Sequence, residues 1–116
     1  MGGAERLKAG KWQVWLADLP AGKGHEQGGE RPAIIVGGKN GLAMIIPLTK
    51  ELKRANFSHT LTLEPTKDNG LSVESVALIF QLTSLDESRF KKQRGYIEKQ
   101  EQRNTINELL KDLLKL

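Results

Sequence analysis

Between Gly24 and Val36 the chain reads GHEQGGERPAIIV, which crowds His25, Glu26, Gln27, Glu30 and Arg31 beside a β-branched run. These side chains suit proton and anion chemistry. A histidine titrates near neutral pH and can move a proton. A guanidinium offers a planar fork of donors that matches phosphate or carboxylate. Pro32 confines Arg31 to extended backbone and suits the first residue of a strand. Arg31 is therefore expected at the lip of a rigid element, with a glycine-rich polar loop beside it. A plain alternative is an ion pair between Arg31 and Glu26 or Glu30.

The elements that must hold this stretch follow from patterning. Gln13 to Leu19 alternates, Val14 and Leu16 on one side and Trp15 and Ala17 on the other, and reads as a first strand. Pro32 to Val36 is the second strand. Gly37, Gly38, Asn40 and Gly41 make a hairpin turn into a third strand, Leu42 to Leu48, where Pro47 suggests an edge or a bulge. Thr49 to Ser58 is a basic loop carrying Lys50, Lys53 and Arg54. His59 to Glu64 alternates again, and PTKDNG at Pro65 to Gly70 is a turn. Val73 to Gln81 is strongly apolar and is expected to be the central strand. Asp86 is placed to cap a short helical turn through Phe90, and Gly95 to Ile97 could add a last short strand.

From about Lys99 the period becomes helical. Ile106, Leu109, Leu110, Leu113 and Leu114 fall on one helix face. Short strands followed by one packing helix predict a mainly β, α+β domain: a small, strongly bent antiparallel sheet or barrel with a C-terminal helix. The 116 residues allow one domain, read as 12–116 behind a loose tail at 1–11.

Composition narrows the class. With 38% hydrophobic and 28% charged residues the chain suits a small soluble domain, and its net charge of +4 permits a polyanion partner without requiring one. There is no cysteine, so disulfides and thiolate metal sites are excluded and a reducing cytoplasm is suitable. No apolar run approaches a membrane span. Only His25 and His59 offer imidazoles, which argues against a zinc site. No Gly-Lys-Ser/Thr phosphate loop and no Gly-x-Ser-x-Gly elbow is present.

The run VWLADLPAGKGHEQGGERPAIIV resembles the opening of the MazF/PemK family of toxin endoribonucleases. IIPLT at Ile45 to Thr49, SHTLTL at Ser58 to Leu63 and NGLSVESVALIFQLTSLDESRF at Asn69 to Phe90 continue the match in register. The Gly-x-Glu-Gln-Gly-Gly-x-Arg-Pro element is its most specific part. The resemblance implies an SH3-like barrel with a C-terminal helix, a homodimer in the cytoplasm, and cleavage of single-stranded RNA without metal or cofactor. The ribose 2′-OH attacks the adjacent phosphorus, leaving a 2′,3′-cyclic phosphate and a 5′-OH. It also implies a cognate antitoxin whose acidic and hydrophobic C-terminal tail blocks the groove.

Carried over by position, the resemblance makes Arg31 the catalytic arginine and Thr49 the catalytic threonine. The chemistry fits, because charge builds on the nonbridging oxygens of a five-coordinate phosphorus. A fixed guanidinium and a hydroxyl can donate to them, each donor being worth roughly a hundred- to a thousandfold in rate. His25 and Glu26 are further catalytic candidates, some relatives carrying His-Glu here and others Ser-Glu. A loop histidine can equally stack on a base or do nothing. Gln27, Lys50, Lys53, Arg54, His59, Gln81 and Thr83 are the substrate-binding candidates. The lysines and Arg54 can also be solvated loop charges, and Gln81 a buried amide between strands.

Three substitutions depart from the family pattern near the site. Phe80 stands where many relatives have an acid, Thr83 where many have arginine, and Leu78 where one branch has a second catalytic arginine. Trp12 replaces a usual glycine, so the entry to the first strand is expected to be rearranged. Two other readings stay open. One is a non-catalytic barrel that binds a protein, as a gyrase-poisoning toxin of the same general fold does; the other is a degenerate nuclease that still binds RNA.

Overall fold

The computed structural model describes residues 10–20 and 29–116. Among the described residues seven antiparallel strands and one α-helix make the fold: β1 Gln13–Leu19, β2 Gly29–Lys39, β3 Leu42–Thr49, β4 Thr60–Leu63, β5 Ser75–Leu78, β6 Thr83–Asp86, β7 Phe90–Tyr96 and α1 Gln100–Leu114. The strands run in the order β4-β5-β3-β2-β1-β7, with β6 on the flank of β3. This is the expected mainly β class, a small bent sheet with a C-terminal helix.

The β2–β3 hairpin is the spine. Ile34 faces Ile46 and Ile35 faces Ile45 across the ladder, and the turn falls at Asn40 and Gly41, both at positive φ. Gly37 and Gly38 belong to β2 rather than to the turn. The register shifts between Ile35 and Gly37, so Val36 is the extra residue of a bulge that bends the strand.

Strand alternation divides the apolar residues into two cores. On one face Val14, Ile34, Ile46, Leu48 and Ala77 pack with Ile97 and Ile106. On the other Ala17, Ala33, Ile35, Ile45 and Leu85 pack with Trp15 and Phe90. Helix α1 closes the first core through fully buried Ile106 and partly buried Leu109, Leu110 and Leu113. Leu114 is 49% exposed and leaves the expected face.

Several expectations change. The apolar run at Val73 to Gln81 is not the central strand: only Ser75–Leu78 is extended, between β4 and β3, and Ile79–Gln81 turns as a 3-10 helix. Its apolarity reflects burial of all four strand residues rather than a central place. Pro47 lies inside β3, not at an edge. One flank of β3 pairs with β6 as far as Ile45 and with β5 from Leu48, so the proline, lacking an N–H, falls at the handover. β7 is longer than expected and pairs with β1, while β6 adds a strand that patterning does not announce. Asp86 does cap the turn Glu87–Arg89, its carboxylate accepting from the Ser88 N–H at 2.9 Å.

At the entry to β1 the backbone takes a conformation that favours glycine. Trp12 takes φ 77° and is 9% exposed, a conformation a bulky residue keeps only when its surroundings enforce it. Its N–H donates to the Ile35 carbonyl at 2.7 Å, and its carbonyl accepts from the Ile97 N–H at 2.8 Å.

Candidate functional site

Arg31 and Thr49 are brought to one place by the way the spine ends. β2 and β3 pair as far as Ala33 and Pro47. Beyond that β2 stays with β1, where Arg31 faces Ala17, and β3 goes over to β5, where Thr49 faces Val76. The two strands therefore fork. Arg31 and Thr49 each sit two residues past the last pair, one on each prong, and alternation sets them on the same face as Ala33 and Pro47. Both are half-buried, enough to hold an orientation and still meet solvent.

Glu51 braces the second prong. Its N–H donates to the Thr49 Oγ1 at 3.2 Å, and its carboxylate accepts from the Arg54 Nε at 2.8 Å. The Arg54 hydrogen bond and charge hold the Glu51 carboxyl below its ordinary range, with Lys53 and Arg31 adding smaller pulls in the same direction. Thus three cations surround the loop that follows Thr49.

The other candidates divide. His25, Glu26 and Gln27 lie outside the described residues. Lys50 is exposed beside Thr49, and Lys53 is exposed on the 3-10 turn Leu52–Asn56. Arg54 lies on the same turn, but its guanidinium is engaged by Glu51. His59 is tied to the helix: its Nε2 meets the Asp112 carboxylate at 2.7 Å and its Nδ1 the Ser58 hydroxyl at 3.1 Å. Gln81 is half-buried at the end of the turn after β5. Thr83 is exposed on β6, facing Ile45 in register, with its hydroxyl 3.5 Å from the Ser84 carbonyl. Exposed Phe80 packs on Phe57 with ring centroids 5.6 Å apart.

A cleft of about 190 Å³ borders Thr49 on the face of the sheet that Pro32 and Leu48 share, and Arg31 does not line it. The cross-strand row Leu16, Pro32 and Leu48 forms its floor, and Thr49, Lys50, Glu30, Ser72 and Arg94 stand around it. Reading the sequence alone missed Glu51 and Arg94. Glu51 follows two residues after Thr49, the spacing of a side-chain-capped turn. Arg94 is distant in sequence and gives no local signal. Among the described residues no group of His, Cys, Asp or Glu is placed to hold a metal ion, and no helix is long and apolar enough to cross a membrane.

The observed class is a small, bent antiparallel sheet with a C-terminal helix, and such a fold by itself names no activity. The family is more definite. The model of the PemK-like, MazF-like toxin of type II toxin–antitoxin systems matches residues 10–114, and the chain belongs to that family. It is 29% identical over 99 residues to the Endoribonuclease MazF of Staphylococcus saprophyticus, covering 81% of this chain and 82% of that one. The crystal structure of MazF from Deinococcus radiodurans (Form-I) superposes with a TM-score of 0.71 at 29% identity, covering 97% of this chain and all of that one (100%). The MazE-MazF structure from the same organism gives a TM-score of 0.61 at 28% identity, over 97% and 99% of the two chains.

Proposed function

We propose that this chain is the toxin of a toxin–antitoxin pair and acts, as a cytoplasmic homodimer, as a metal-independent endoribonuclease on single-stranded RNA. The fork that sets Arg31 and Thr49 two residues past the Ala33–Pro47 pair carries the reading. The relative named Endoribonuclease MazF supports it, and the MazE-MazF structure supports an antitoxin partner.

In this reading the ribose 2′-oxygen attacks phosphorus and gives up its proton, while the 5′-oxygen leaves and gains one. A 2′,3′-cyclic phosphate and a 5′-OH result. Arg31 donates to the nonbridging oxygens as their charge builds and is the candidate proton shuttle; Thr49 holds the phosphate with its hydroxyl. Lys50 and Lys53 add long-range attraction for the phosphate chain.

The test is incubation of the full chain with mixed-sequence RNA in EDTA, followed by analysis of fragment ends. Cyclic phosphate and 5′-OH ends at recurring short motifs are expected. Intact RNA, or fragments with 5′-phosphate ends, would overturn the proposal.

A further inference from the structure

The strand at the edge of the sheet holds the charge of the chain. Ser88 to Ile97 carries Arg89, Lys91, Lys92 and Arg94 and no acid. Without those residues 14 Lys and Arg stand against 14 Asp and Glu, so the net charge of +4 resides in this one segment. β7 ends the strand order and has β1 on one flank. Lys91, Lys92 and Arg94 are exposed on it, and among the described residues their side chains make no ion pair or hydrogen bond. Arg89 is engaged, donating to the Asp18 carbonyl at 3.1 Å.

This edge is built against another strand. Its register on β1 shifts twice, leaving Lys91 and Arg94 as the extra residues of two bulges that bend it. Further along, the outer flank meets the turn before β5. The Tyr96 N–H donates to the Asp68 carbonyl at 2.9 Å. A Cβ on Gly70 would stand 2.1 Å from the Arg94 carbonyl oxygen, and one on Gly95 2.1 Å from the Asp68 carbonyl oxygen. Two glycines thus let the turn and β7 interlock, which fixes the backbone under the cations. Bulges, lysines and a covered flank all oppose strand addition, so a peptide held by ladder hydrogen bonds fits poorly. A phosphate chain needs no ladder, only cations without partners spaced along a firm track. Tyr96, 43% exposed, adds a ring on which a base can stack.

The track starts level with Arg31 but two strands away. Arg31 faces Ala17 and Ala17 faces Phe90, a separation of about 10 Å. From Phe90 the strand runs back along β1 toward Gln13, carrying Lys91 to Arg94 about 10 Å further from the fork. We infer that the β7 edge is a sequence-independent anchor for the phosphate chain of RNA, separate from the place of cutting. Lys91, Lys92 and Arg94 each meet a phosphate, and Tyr96 stacks on a base. The identity of the polymer rests on the nuclease reading. The anchor holds long RNA on the protein and leaves the choice of cleavage motif to the fork.

The test compares three full chains: the parent, a strand variant (Lys91→Gln, Lys92→Gln and Arg94→Gln together), and a charge-matched control. The control carries Lys39→Gln, Lys111→Gln and Lys115→Gln, exposed residues of the hairpin and the helix end. Binding of an uncleavable 2′-O-methyl RNA pool is measured across salt concentrations, with polyglutamate as a second polyanion. The strand variant should show a log–log salt slope shallower by about 2, at about 0.7 for each single-strand phosphate contact. Raising salt from about 50 to about 200 mM should therefore weaken the parent about twentyfold more than the variant. The control should keep the parent's slope. In cleavage of long RNA the strand variant should raise KM with kcat and the preferred motif unchanged. Equal slopes in parent and strand variant overturn the inference. So does an equal change in the control, which would make net charge the cause, and so does a strand variant that loses polyglutamate while holding RNA. If the strand variant self-associates, Lys92→Gln and Arg94→Gln carry the test singly, each with a slope shallower by about 0.7, and unmoved slopes there overturn it. A parent that cuts no RNA defeats the nuclease reading instead, and the salt slopes still decide the anchor.

Discussion

Gly70 and Arg94 meet backbone to backbone, so closely that a side chain on the glycine would strike the arginine's carbonyl oxygen at 2.1 Å. Gly70 also takes φ 71°, which adds conformational strain to any substitution. Gly70→Ala should therefore cost about 3 kcal/mol or more, combining clash and strain. Gly41, at φ 81° with nothing within 4 Å of a Cβ, is the control and should lose only about 1–2 kcal/mol as alanine. Urea midpoints for the two variants settle the comparison; equal losses would show that the interlock contributes nothing.

Arg31→Ala should lower the single-turnover rate of RNA cleavage by about a thousandfold, and Thr49→Val by about a hundredfold. Arg31→Lys should recover little, because an ammonium lacks the planar fork. Thr49→Ser should recover most of the loss, since it restores a hydroxyl. An Arg31→Ala chain as fast as the parent would remove that residue from the mechanism.

The Glu51–Arg54 pair gives stability a sign with pH. The Arg54 hydrogen bond and charge hold the Glu51 carboxyl below its ordinary value of 4.5. A carboxyl lowered in the folded state stabilises above 4.5 and loses that contribution as the pH falls through 4.5 toward its folded value. Between about pH 6 and about pH 3 the unfolding midpoint of the parent should drop more than that of Glu51→Gln. Because the pair is exposed, added salt should shrink the difference. Parallel pH profiles at low salt would show that the pair carries no net energy.

Helix α1 docks through a narrow strip. Ile106→Ala should cost about 2–5 kcal/mol, the range for an emptied core site, whereas Leu114→Ala should stay within about 0.5 kcal/mol. Thermal unfolding of both variants tests this. A large loss at Leu114 would mean that its exposed side chain is covered in solution.

Much of the fold is legible where the apolar pattern has one period. β1 alternates cleanly, and the stripe on α1 matches its buried face except for Leu114, the exposed last residue of the helix. β6 and β7 escape such reading. TSLD buries only Leu85, and FKKQRGY has no fully buried residue; these segments are extended because neighbours offer ladder partners, not because their side chains alternate. The run at Ser75 to Ile79 is buried throughout, so no period shows where extension gives way to a turn. At the site, Arg31 and Thr49 could be paired from the hairpin alone. The fork could not, since it depends on β3 exchanging β6 for β5. Nor could the place of Arg94, which is set by a turn some twenty-five residues earlier meeting it through two glycines.

Trp12 bridges Ile35 and Ile97 through its own peptide groups while the Arg103 guanidinium lies 5.6 Å from the centre of its ring. Its backbone strain, of order 1–3 kcal/mol, is sustained only while all three neighbours stay docked. The tryptophan thus acts as a clasp joining the first strand to the last helix. Peeling the helix away would let that peptide relax and slacken the entry to the first strand, so trimming the helix should undo more than the surface it covers.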